Sequence, residues 1–213
     1  MEEVKDTMST RDKIVKIYYS YVRLLIKLTP LKDLSPNTIS VLASIMGVVA
    51  GVAFLTGHSF TAGIFLLISG ALDTFDGTVA RMNNRATRFG AIVDSSLDRY
   101  VEFVIFLGII NYYRNTEMFY WGFAALAGSI MVSYARARAQ TLGVDKVVGL
   151  MQRAERLILL SLGAIVNTFV EMAYDTDVVL RATIIILAIG ANFTAFQRIM
   201  IVKKAEDGST PDS

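Results

Sequence analysis

Long apolar runs alternate with short polar connections along most of this chain. After Ser35-Pro36-Asn37 a run of roughly twenty predominantly apolar residues reaches Thr56, the length that crosses about 30 Å of hydrocarbon. Ser35 reads as the cap of that helix and Pro36 as its first residue. Further runs follow from Phe60 to Val79, Phe89 to Tyr112, Phe119 to Ala135, Leu157 to Val170 and Val178 to Val202, predicting six transmembrane helices. The fifth run is short and is expected to extend back through Glu155.

Upstream the pattern changes. Between residues 10 and 29, Ile14, Ile17, Tyr18, Tyr21, Leu25 and Leu28 recur at helical steps, with Lys13, Lys16, Arg23 and Lys27 on the other face. Such a basic amphipathic segment predicts a helix lying in the membrane interface, ended by Pro30. Residues 205–213 read as a polar tail. The expected fold is therefore an all-α integral membrane protein, one membrane domain over 1–213, with an interfacial helix at 10–29 and a six-helix bundle over 36–203.

Composition agrees. Hydrophobic residues make up 54% and charged residues 19%, below the roughly 25% usual in soluble proteins, and the mean hydropathy is +0.49. Without cysteine there is no disulfide, thiolate metal site or catalytic thiol, and the single histidine, His58, excludes a histidine metal cluster. Any metal would have oxygen ligands. The polar opening of the chain lacks the pattern of a cleaved secretory signal, so the N-terminus is expected to be retained. A net charge of +2 gives no reason to expect a nucleic acid partner.

The distribution of charge says more than its sum. With the N-terminus inside, one membrane side collects the basic residues of the first segment, then Arg81, Arg85, Arg88, Arg136, Arg138, Lys146, Arg153, Arg156, Arg198, Lys203 and Lys204. The other side keeps Arg114 and Arg181 beside Glu117, Glu171, Asp175 and Asp177. By the positive-inside rule both termini are expected to face the cytoplasm, in the cell membrane. Trp121, with Tyr112, Tyr113, Phe119 and Tyr120, is expected to form an aromatic belt at the outer face.

Against this apolar background the stretch from Asp73 to Asp98 is expensive: an acidic side chain in mid-membrane costs on the order of 3 kcal/mol, which makes it a functional candidate. Asp73 and Asp76 share one helix face, and Asp94 and Asp98 share another. Gly77 and Ala80 continue the first acidic face with almost no side chain, leaving a groove beside the carboxylates. Two antiparallel helices joined by the polar turn at Asn83 and Asn84 would bring the four acids together. That oxygen cluster suits a hard divalent cation, held by carboxylates and substrate phosphates. Intramembrane acids also mark ion pathways, so a cation transporter is the alternative from another class. Their confinement to two helices near one surface, beside a basic loop, favours an enzyme.

Asp73, Asp76, Gly77, Ala80, Arg81, Gly90, Asp94 and Asp98 match without departure the signature DxxDGxxAR, eight residues, GxxxDxxxD. In this the sequence resembles the CDP-alcohol phosphatidyltransferase family. The resemblance implies transfer of a phosphatidyl-type group from a CDP-linked lipid, CDP-diacylglycerol or CDP-archaeol, to an alcohol with release of CMP. It further implies one or two Mg²⁺ or Mn²⁺ ions held by Asp73, Asp76, Asp94 and Asp98, with Asp98 as general base. The nucleotide would lie beside Asp73, Gly77, Ala80, Arg81 and Asn37, with Gly90 a structural position of the motif. A homodimer surrounded by membrane lipids is implied as well.

The alcohol is set outside the motif. Arg136, Arg153, Arg156 and Arg198 end or begin spans on the side that holds the aspartates. Such guanidinium groups suit bidentate capture of a second phosphate, as a phosphorylated acceptor would bring. The wording DSSLDRY, with YARARA, RAER and FQR, resembles the prokaryotic branch that makes phosphatidylinositol phosphate or its archaeal counterpart from inositol 1-phosphate. There the acceptor phosphate is held by basic residues corresponding to Arg136, Arg156 and Arg198, the first commonly lysine. Glycerol 3-phosphate, serine or another alcohol are the alternatives within the family. Glu102, one turn beyond Asp98, is expected to serve as an outer partner or, more simply, to pair with an arginine.

Overall fold

The computed structural model describes residues 34–82, 87–145 and 149–208. They form six helices: α1 (Pro36–Leu55), α2 (Ser59–Met82), α3 (Arg88–Tyr112), α4 (Met118–Thr141), α5 (Arg153–Tyr174) and α6 (Val178–Glu206). Pro36 opens α1 as expected, and the Ser35 hydroxyl accepts from the Thr38 amide at 3.1 Å. Helix α5 starts at Arg153, ahead of Glu155, which brings both arginines of its first turn into regular structure.

Five of the six helices are long and apolar enough to cross a membrane; α3 is not. This corrects the expectation of six apolar spans. Any stretch of α3 long enough to cross includes Asp98, Arg99 and Glu102, so none is free of three charged side chains. Asp98 and Glu102 are accommodated by Arg153 and Arg156 of α5. The interfacial helix expected at 10–29 lies outside the described residues, among which there are six helices and no seventh. The protein is a multi-pass, all-α membrane protein.

Helix α1 packs against α2 and α3, α4 against α6 and α3, and α5 against α2 and α6. In lipid the contrast between oil and water does little to join helices, so close packing at small residues carries much of the association. Gly51 of α1 faces Gly108 of α3 so closely that a Cβ on Gly108 would collide with the Gly51 carbonyl. Gly63 meets the Ser161 carbonyl on α5, and Gly163 meets Thr183 on α6. The interior is filled by Phe54, Leu66, Ile105, Ile109, Leu160, Ile184 and Leu187, while Val52, Ile189, Phe193 and Phe196 remain exposed on the outer surface.

At the end of the bundle formed by the C-terminus of α3 and the N-terminus of α6, Tyr113 donates to Asp177 Oδ2 at 2.8 Å. Arg181 Nε donates to Asp177 Oδ1 at 2.6 Å and Arg181 Nη1 to Glu117 Oε1 at 3.1 Å, its guanidinium carbon 5.5 Å from the centre of the Tyr113 ring. Burial, then the bond to Asp177, holds the Tyr113 phenol above its ordinary pKa. The candidate site lies at the opposite end, where α2 ends and α3 begins.

Candidate active site

The site begins with two helix faces. Asp73 and Asp76 are one turn apart on α2, and Asp94 lies in the second turn of α3. Thr87 fixes where α3 starts, its hydroxyl accepting from the Gly90 amide at 2.9 Å. The result is convergence: one carboxylate oxygen from each of Asp73, Asp76 and Asp94 lies within 4.8 Å of the others. Asp76 is buried, and the Ser40 hydroxyl of α1 donates to its Oδ2 at 2.7 Å. All the donors are hard anionic oxygens, so the residues present fit Mg²⁺ or Mn²⁺.

Asp98 stands apart from that group. Its Oδ1 accepts from Arg153 Nη2 at 2.6 Å, and its Oδ2 lies 3.8 Å from Arg99 Nη1. The other arm of Arg153 reaches Asp73 Oδ2 at 2.7 Å, so one guanidinium joins Asp98 to the carboxylate group.

Two cavities flank the acids. One, of about 200 Å³, is lined by Asn37, Ser40, Asp76, Gly77, Ala80 and Gly90 among others. A Cβ on Gly90 would sit 3.0 Å from the Thr87 hydroxyl and 3.4 Å from Asn37 Oδ1, which accounts for a glycine there. The second, of about 430 Å³, has a polar wall that includes Asp73, Thr74, Arg136, Gln152 and Arg153, and an apolar wall of Leu66, Leu67, Leu157 and Ile158. It can receive a molecule that is anionic at one end and apolar at the other.

The four arginines expected at an acceptor phosphate are placed differently from one another. Arg136 is exposed and lines the larger cavity, and Arg153 lines it while holding two aspartates. Arg156 is 2% exposed: its Nε and Nη2 donate to Glu102 Oε1 at 3.0 and 2.6 Å, and its Nη1 to the Met151 carbonyl at 2.8 Å. Glu102 therefore takes the simpler of its two expected roles, pairing with an arginine. Its Oε2 is buried without a hydrogen-bond partner. Arg198 is buried, with Nη1 donating to the Val132 carbonyl at 2.7 Å, near enough to Arg136 and Arg156 to interact electrostatically. Neither Arg156 nor Arg198 lines the larger cavity. Arg81 falls in the last turn of α2, its side chain outside the described set.

Sequence reasoning missed Ser40 and Thr87. Ser40 lies three residues after Asn37, on the same face of α1, and that spacing could have flagged it. Thr87, just ahead of the α3 pattern, is a cap residue by type.

A polytopic helix bundle with converging carboxylates between two cavities, one of them walled by arginines, defines a class: membrane enzymes that act on phosphate-bearing substrates. Residues 33–200 match the description "CDP-alcohol phosphatidyltransferase". An archaetidylinositol phosphate synthase of Methanothermobacter thermautotrophicus is 36% identical over 153 residues, 72% of this chain and 75% of its own length. A phosphatidylinositol phosphate synthase of Corynebacterium glutamicum is 33% identical over 191 residues, 86% of this chain and 82% of its own. The crystal structure of the Mycobacterium tuberculosis phosphatidylinositol phosphate synthase with CDP-DAG bound is similar with a TM-score of 0.72 at 26% identity, covering 88% of this chain and 94% of that one. The same enzyme in complex with manganese and citrate gives 0.73 at 26% identity, covering 87% of this chain and 88% of that one.

This chain belongs to the CDP-alcohol phosphatidyltransferase family. It is an enzyme of phospholipid biosynthesis that transfers a phosphatidyl-type group from a CDP-linked lipid to an alcohol, using a divalent cation at its clustered acidic residues. The transporter reading falls with that result.

Proposed function

We propose that the acceptor is inositol 1-phosphate and the product a phosphatidylinositol phosphate or its ether-lipid counterpart. The observation that carries this reading is the arginine-walled cavity of about 430 Å³ directly beside Asp73. A phosphorylated acceptor needs such a second anion site, whereas serine does not. Two relatives of the chain bear the names of enzymes making inositol phosphate lipids, which supports the same choice.

Asp73, Asp76 and Asp94, with Asp98 nearby, would hold Mg²⁺ or Mn²⁺. When bound, the metal supplies charge stabilisation to the pyrophosphate as CMP leaves. The protein does the rest. Asn37, Gly77 and Ala80 receive the nucleotide in the smaller cavity, where Gly77 and Ala80 leave room and Gly90 keeps the wall thin, and Arg81, the last fixed position of DxxDGxxAR, is assigned to the nucleotide by the motif alone. Asp98 takes the proton of the acceptor hydroxyl. Arg136 and Arg153 meet the acceptor phosphate in the larger cavity. Arg198 adds positive field from the protein interior, where low dielectric makes its charge count for more, while the charge of Arg156 is largely offset by Glu102. The apolar wall of Leu66, Leu67 and Ile158 accepts the hydrocarbon of the donor.

The charge distribution supports a site on the cytoplasmic side, with both termini there, so that a soluble acceptor meets a lipid donor arriving through the bilayer. The chain acts as one catalytic domain over 1–213, as a homodimer among membrane lipids.

The test is an incubation of purified protein with CDP-diacylglycerol or CDP-archaeol, Mn²⁺ and a panel of alcohols, with lipid products read by mass spectrometry. An inositol phosphate lipid is expected. Product formation from glycerol 3-phosphate or serine, with none from inositol 1-phosphate, would replace the acceptor while leaving the family reaction intact.

A further inference from the structure

The end of the bundle away from the acids has a recess of its own. A groove of about 350 Å³ is formed by the last turn of α1, the C-terminal half of α3 and the start of α4. Its walls are Val52, Leu55, Val104, Leu107 and Phe119, and one end carries Asn111 and Arg114. From Val104 to Asn111 it follows two turns of α3, a length of about 10 Å. Gly108 meets the Gly51 carbonyl within it, so no side chain fills that part. Val52, Leu55 and Leu107 are exposed, which opens the groove along the outer surface of the bundle.

In a membrane an apolar groove alone selects nothing, because acyl chains cover every such face. The charged end is what distinguishes this one. Arg114 follows the last turn of α3 and is exposed, with Nη1 donating to Asn111 Oδ1 at 3.4 Å. Among the described residues it pairs with no carboxylate, whereas Arg181, the other arginine of this end, is held by Asp177 and Glu117. A guanidinium that is free to take an anion therefore stands at the head of an apolar groove, and its fork matches the oxygens of a phosphate.

We propose that this groove is a binding site for an anionic phospholipid, which lays one acyl chain against Val52, Leu55, Val104 and Leu107 and sets its phosphate on Arg114. The site lies at the far end from Asp73 and its neighbours, so this lipid takes no part in the transfer reaction. It fills the groove and links the end of α1 to the start of α4, each of which packs against α3. A second copy of the chain seated there would instead have to bury Val52 and Leu55 and bring an acid to Arg114. The inference is independent of which alcohol the enzyme accepts.

The test uses full-length protein in detergent, stripped of lipid and offered phosphatidylglycerol and phosphatidylcholine with matched chains, the retained lipids being counted by native mass spectrometry. One phosphatidylglycerol per chain should be retained in preference to phosphatidylcholine. In Arg114→Gln that preference should fall about fivefold, the effect of one cation on an anionic headgroup. Arg114→Lys keeps the charge without the fork and should lose less. Val52→Trp, at an exposed wall position, should fill the groove and lower the retention of both lipids. CMP release, carried out at the other end, reports that each variant is folded. The absence of any preference in the unmodified protein, or an equal preference in Arg114→Gln, would overturn the proposal. So would Val52→Trp turning a dimer into a monomer with the lipid count per chain unchanged, because the groove would then belong to a second copy. Should Arg114→Gln fail to fold, undiminished lipid retention in Val52→Trp overturns it instead.

Discussion

Each end of the bundle has an arginine that bridges two carboxylates, and the two arrangements do different things. At one end Arg181 joins Asp177 to Glu117 and lies over Tyr113. Glu117 is 72% exposed and Arg181 35%, so water screens the pairs and they tie the segments following α3 and preceding α6 together weakly. At the other end Arg153 joins Asp73 to Asp98, which is 15% exposed, next to two further aspartates and two cavities. There Arg153 and Arg99 pair with Asp73 and Asp98 while Asp76 and Asp94 add two further carboxylates, and this negative charge sits where a divalent cation meets the CDP-linked lipid. The pairing chemistry is the same; burial and charge surplus separate a clasp from an active site.

Several substitutions would break or sharpen that contrast. The largest effect is expected from Asp76→Asn or Asp94→Ala, each removing a carboxylate from the converging group. CMP release should fall by about a thousandfold or more, and chelation of divalent ions should abolish it, with recovery on adding Mg²⁺ or Mn²⁺. Arg156→Ala should come next, because it leaves Glu102 charged and buried: a loss on the order of 3 kcal/mol, read as an earlier thermal or denaturant transition in detergent. Glu102→Gln keeps a hydrogen-bond acceptor and should cost less. Gly90→Leu should crowd Thr87 and Asn37 and raise the KM for the CDP-lipid by roughly tenfold to a hundredfold, with folding retained. The smallest effect belongs to the other end. Arg181→Ala should shift stability by about 1 kcal/mol or less and leave CMP release unchanged. A large loss of activity there would end the distinction between the two ends.

Much of this molecule was legible along the chain. Ser35 and Pro36 marked the start of α1 because capping is local chemistry between residues three apart. The faces holding Asp73, Asp76 and Asp94 followed from helical spacing, and the polar turn after α2 implied that the faces would meet. The expectation failed at α3, whose apolar residues were read as a span although Asp98, Arg99 and Glu102 interrupt it. A hydropathy pattern weighs each charge as if it faced lipid. In the fold Asp98 faces Arg153, and Glu102 faces Arg156, so the charges are carried by partners instead.

The sequence by itself determined the helices, the grouping of acids onto faces and the family signature, because each depends on spacing within a few residues. Only the tertiary structure decided which arginine meets which acid. Arg153 and Arg156 are one turn apart on α5, Asp98 and Glu102 one turn apart on α3, and the two helices set these residues against each other like rungs. That register arises from packing between elements far apart in the chain. No local period encodes it, and it places Arg153 between Asp98 and the larger cavity while turning Arg156 inward.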